Sequence, residues 1–161
     1  MTADEFRLLI KKMFVDDLLK PYNPQMSWKH EYVKGPYAGY EIGVEVRSFR
    51  LMFVYEEPGG AGVMVGSPSS RFENTANGWF DLDRAIAFSL KKLFLWDDPY
   101  KGMSYDARIE AIFSATANNF SKSIDQIIDK FRSQSRVLEW ESEYRSYEKD
   151  QVRLRYPDLL K

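Results

Sequence analysis

Tyr40-Glu41-Ile42-Gly43-Val44-Glu45-Val46, followed closely by Phe49-Arg50-Leu51-Met52-Phe53-Val54-Tyr55, is the stretch on which the fold turns. In the first run Tyr40, Ile42, Val44 and Val46 share one face while Glu41 and Glu45 take the other, the two-residue period of a half-buried strand. Phe49, Leu51, Phe53 and Tyr55 repeat that period in the second run. Upstream, Trp28, His30 and Tyr32 alternate with Lys29, Glu31 and Val33, which predicts a strand over 28–33, and Gly35-Pro36 and Gly39 punctuate the turn that follows. Downstream, Pro58-Gly59-Gly60 supplies residues suited to positive φ for a hairpin into Val63-Met64-Val65. Four sequential strands joined by short turns imply an antiparallel meander, because parallel pairing would need a long crossover each time.

Helical spacing frames this sheet. Thr2 and Glu5 form a capping box, and Phe6, Leu9, Ile10, Met13 and Phe14 recur at helical intervals, predicting a first helix over 3–19 that Pro21 ends. Asp81 offers an N-cap to a helix with Leu82, Ile86, Leu90 and Leu93 inward and Lys91 and Lys92 near its negative end. After a break at 97–102, Ser104 caps a long segment. There Ile109, Ile112, Phe113, Thr116, Phe120, Ile124, Ile127, Ile128 and Phe131 hold one phase across Ala117-Asn118-Asn119. That continuity predicts a single helix over 104–132, gently kinked at most. A last, polar helix over 135–155 carries the aromatic stripe Trp140, Tyr144 and Tyr147, with Glu139, Glu141 and Glu143 early and Arg145, Lys149, Arg153 and Arg155 late, the order its dipole favours.

The expected architecture is therefore one α+β domain spanning 1–161. A four-stranded antiparallel meander packs one face on the long C-terminal helix, with the N-terminal helix beside it and a further C-terminal helix.

Composition narrows the function. With 23 Lys and Arg against 24 Asp and Glu, the net charge of −1 provides no global field for a phosphate backbone or an anionic membrane. Nucleic acid and membrane are thus not expected partners. The absence of cysteine removes thiolate chemistry and sulfur-based zinc sites, and the charged N-terminus lacks the apolar run of a signal peptide. A cytoplasmic location is the expectation.

Chemistry-bearing groups are sparse. His30 is the only histidine, so no His-pair metal site or His/Cys dyad is available, and its plain reading is a half-exposed strand residue. The acidic pairs Asp16-Asp17, Glu56-Glu57, Asp81/Asp83 and Asp97-Asp98 are explained by helix caps and solvated faces. Pro58-Gly59-Gly60-Ala61-Gly62 lacks the Gly-Lys-Ser/Thr ending of a phosphate loop and precedes a strand where such a loop opens a helix. No catalytic residue, metal or cofactor is assigned.

Aromatics, at 16%, are the compositional excess. Most are expected in the core. Tyr37, Phe72, Trp79 and Tyr100 lie beside Gly, Pro or Asn in predicted loops, and the Ser67–Gly78 run of turn formers is the best candidate for a functional loop. Together with Arg71, these four form the expected partner-binding set, since interfaces are enriched in Trp, Tyr and Arg.

At Gly78-Trp79-Phe80-Asp81-Leu82-Asp83, with a strand meander before it and an apolar helix after it, the layout over 40–95 resembles small bacterial toxin-immunity proteins. The resemblance implies a cytosolic binder that neutralises a partner protein without catalysis of its own. It carries over no contact residue. The function expected is thus a non-enzymatic protein-binding domain of immunity or antitoxin type. The alternative is a small-molecule or anion binder, or a weak hydrolase, with a pocket near His30 and the 67–78 loop. A homodimer built on the last helix is a third reading.

Overall fold

The computed structural model describes residues 1–58, 60–74, 78–90 and 99–156. Its centre is an antiparallel sheet of five strands in sequential order: β1 (Gln25–Lys34), β2 (Tyr37–Val46), β3 (Phe49–Glu57), β4 (Gly60–Gly66) and β5 (Trp79–Asp81). The predicted meander is present, extended by one strand. β5 escapes sequence reading because three residues, from Trp79 after Gly78 (φ +77°) to the helix-capping Asp81 itself, are too few to show an alternation.

Among the described residues, five α-helices lie against one face of this sheet. They are α1 (Ala3–Ile10), α2 (Leu82–Ser89), α3 (Tyr105–Ser121), α4 (Ile124–Phe131) and α5 (Gln134–Arg155). Phe49, Leu51, Phe53 and Tyr55 project from β3 into this layer, all buried, as the period predicts. Phe14 packs edge-on against Phe53 at 4.7 Å, and Phe113 of α3 lies 6.1 Å from the same ring. At the other end, Trp140 of α5 meets Phe80 at 4.8 Å and Phe131 at 5.1 Å and stacks on Tyr144 at 4.8 Å. The aromatic stripe of α5 is thus spent largely within the chain.

Two helix expectations need correction. The predicted helix over 3–19 is α-helical only to Ile10, because Lys11–Val15 form a π-helical turn in which Asp16 N–H donates to Lys11 O at 2.9 Å. Phe6, Ile10 and Phe14 are spaced by four, whereas Leu19 follows by five; the wider turn brings all four into the core. The predicted continuous helix over 104–132 is two helices. Lys122 N–H turns to Asn119 O and Ser123 N–H to Phe120 O, tightening the end of α3, while the buried Ser123 hydroxyl reaches the Asn119 carbonyl at 3.3 Å. These local bonds compete with the helical ladder, and an apolar stripe does not register them. Leu93, Lys91, Lys92 and the Asp97-Asp98 pair lie outside the described residues.

Candidate functional site

Among the described residues, the opposite face of the sheet carries no helix. Strand register sets its side chains in transverse rows: Trp28, Gly43, Met52 and Met64; then His30, Glu41, Val54 and Gly62; then Tyr32, Gly39, Glu56 and Gly60. Among the described residues a cover lies over the first of these rows and over the adjoining row of Glu45, Arg50 and Gly66.

That cover is formed by residues 67–74 together with Gly78 and Trp79. Arg50 reaches up from β3 to donate to Ser70 O, pairs with Glu45 at 2.8 Å, and sets its guanidinium 5.3 Å from the Phe72 ring centroid. Ser70 Oγ donates to Gly78 O at 2.8 Å, Trp79 Nε1 donates to Arg71 O at 3.0 Å, and Ser67 Oγ donates to Gln134 Oε1 at 3.1 Å. Under these ties Phe72, Trp79 and Met52 form a second, small core, with Trp28, Val54 and Met64 packed on it. Gly43 makes room for it: a Cβ there would meet Phe72 and Trp28 at 2.6 Å.

The expected surface set is corrected accordingly. Phe72 and Trp79 are 6% and 7% exposed, so their rings are structural; a loop short of apolar residues still uses its aromatics to seal itself onto a sheet. Tyr37 is exposed at the start of β2, Arg71 is exposed on the loop, and Tyr100 is half-buried in the turn before α3. With Phe72 and Trp79 buried, the five do not make an exposed set.

Beyond the loop the sheet is open. Trp28, His30 and Tyr32 run down β1 with centroid spacings of 6.0 and 5.7 Å, and Phe72 stacks on Trp28 at 6.2 Å with the rings 9° from parallel. Two carboxylates stand beside these rings. Glu41 Oε2 is 3.1 Å from His30 Nδ1, and Tyr32 Oη donates to Glu56 Oε2 at 2.9 Å. Burial, with the Glu56 carboxylate adding to it, pushes the Tyr32 hydroxyl up to about 12. Tyr32 therefore remains a neutral donor and Glu56 an acceptor.

Gly39 lets the Tyr32 ring lie down across β2, since a Cβ would come within 2.7 Å of its hydroxyl. At Gly62 a Cβ would meet nothing within 4 Å, so the floor stays low towards β4. The result is a shallow face with an aromatic wall on β1 and two acids along its middle. Sequence reading paired Trp28, His30 and Tyr32 on one side of a strand. It weighed His30 alone and did not join it to Trp28 and Tyr32 as an exposed surface, because parity cannot say which side the helices cover.

The recess beside the loop is separate, about 280 Å³, and lined by Ser69, Ser70, Arg71, Asn74, Gly78 and Gln134. His30 does not line this recess and stands half-exposed on the open face. Among the described residues no group of three His, Asp or Glu side chains comes together as a metal site, and no helix is long and apolar enough to cross a membrane. Comparison with known proteins yields no relative: no family model, curated protein or solved structure matches the chain.

Proposed function

We propose that this protein is a non-catalytic protein-binding domain, of the kind that neutralises a partner by occupying it, and that it docks through the open sheet face. The observation that carries the reading is the exposed His30 beside Trp28 and Tyr32, with Glu41 and Glu56 between strands, on a sheet whose other face buries Phe49, Leu51, Phe53 and Tyr55 against the helices. Rings held on a rigid sheet offer contact area at little entropic cost, and two carboxylates against one imidazole favour a partner presenting Lys or Arg. The polar groups of this face bond to one another across a shallow surface, a geometry suited to complementary contact.

The test is affinity capture from the native host with the wild type and with Glu41→Lys/Glu56→Lys. A partner lost on charge reversal but retained by Arg71→Ala supports the open face. One retained by the charge-reversed protein overturns it.

The recess at Arg71 favours a second reading, capture of a small anion by hydroxyl and guanidinium groups. Titration with inorganic phosphate, monitored on backbone amides of 69–71, tests it; no shift at those amides would exclude it.

A further inference from the structure

The two edges of the sheet differ. β5 is three residues long, whereas β1 runs for ten and, among the described residues, is paired along one side only. A bulge between Met26 and Trp28 ends the regular ladder, leaving Trp28 to Val33 as straight, unpaired edge. The backbone there points outward in a defined order. Gly35, with φ +62° before Pro36, sets a two-residue II′ turn, so Lys34 and Tyr37 close the hairpin as a hydrogen-bonded pair. Counting back by alternation, Lys29, Glu31 and Val33 direct their N–H and C=O groups away from β2. Val33 is 82% exposed.

The side chains along this edge read Trp28-Lys29-His30-Glu31-Tyr32, an aromatic at each end, a cation and an anion inside them, and an imidazole at the centre. Reversed, the order is the same with the charges exchanged. We propose that the chain forms a two-fold dimer by pairing β1 antiparallel with β1 of a second copy, centred on His30.

In that register Lys29 stands opposite Glu31 of the second copy, and Glu31 opposite its Lys29, both as hydrogen-bonded pairs. Trp28 meets Tyr32 of the second copy on the open face. Neighbouring registers are rejected by charge: centring on Lys29 sets lysine against lysine, and centring on Glu31 sets glutamate against glutamate. Within one chain Lys29 and Glu31 already pair at 2.9 Å, with their side chains 51% and 53% exposed, so both heads are free to turn across the edge.

The two-fold axis stands perpendicular to the sheet, which leaves both helical layers on one side and both open faces on the other. The aromatic row of β1 then becomes the midline of one continuous face, to which each copy contributes half. The dimer stands or falls apart from the identity of any partner protein.

Sedimentation equilibrium over a wide concentration range tests the proposal. The wild type is expected to show a reversible monomer–dimer equilibrium. Lys29→Glu and Glu31→Lys each set like charges opposite one another at both symmetric positions and raise the dimer dissociation constant about tenfold. An equimolar mixture of the two variants restores association as a heterodimer, because every cross-edge pair is then complementary. The double exchange Lys29→Glu/Glu31→Lys, which keeps the charges within each chain opposite, restores the homodimer. A wild type monomeric at all concentrations, or a dimer that neither single variant weakens, overturns the proposal. Unchanged circular dichroism of the variants separates lost pairing from lost folding.

Discussion

Replacing Asp83 by asparagine should stabilise the protein above neutral pH. Asp83 sits in the first turn of α2 and accepts from Thr116 Oγ1 on α3 at 2.9 and 3.1 Å. Burial between the two helices pushes its carboxyl up from 3.8 to about 6, the Thr116 hydrogen bond opposes the rise, and the like charge of Asp81 adds to it. The folded protein therefore holds this proton more tightly than the unfolded chain. Stability from this group is fully present below pH 3.8 and is lost as pH climbs through about 6. At about 1.4 kcal/mol for each tenfold change in proton affinity, the loss amounts to about 3 kcal/mol at pH 8. An ionised carboxylate in the first turn of a helix recovers about 0.3–1 kcal/mol from the dipole, which asparagine forgoes. The net gain expected for Asp83→Asn is thus about 2 kcal/mol at pH 8, falling to nothing or a slight loss near pH 4. Urea unfolding of both proteins at several pH values measures it. Parallel stability curves for wild type and variant would refute the reasoning, since they would show that Asp83 titrates alike in the folded and unfolded chains.

Phe72→Ala should cost about 3 kcal/mol in the same assay, because it empties the centre of the small core under the 67–78 loop. Unchanged stability would return that ring to the surface role expected of it from sequence. Gly43→Ala should cost about 1–3 kcal/mol and alter Trp28 fluorescence, since its Cβ would press on Phe72 and on the Cβ of Trp28 at 2.6 Å; a silent substitution would show that the loop does not rest on β2.

Legibility followed the range of the interaction. The alternation of Tyr40, Ile42, Val44 and Val46 with Glu41 and Glu45 marked a strand with one buried side, and the order of short turns made the sheet antiparallel. Helical spacing likewise gathered Trp140, Tyr144 and Tyr147 into one stripe, and the packing of α5 buries Trp140 and Tyr144. It failed at Lys11–Val15 and at Lys122–Ser123, where a change of helical pitch leaves the apolar stripe almost intact while the backbone bonds are rearranged. Phe72 and Trp79 were misplaced for a related reason: neighbouring Gly and Asn marked a loop, but not that Arg50 and the Ser70 hydroxyl would bind that loop down over Gly43.

By itself, the sequence determined the α+β class, the meander and the two-sided character of each strand, because side-chain period and turn chemistry act between near neighbours. Only the tertiary structure decided which side of the sheet the helices would cover, and so that Trp28, His30, Tyr32, Glu41 and Glu56 share an open face. Those residues come from three strands and lie up to 24 positions apart in their direct bonds. Their meeting depends on register and on layer packing, which no single stretch of chain encodes.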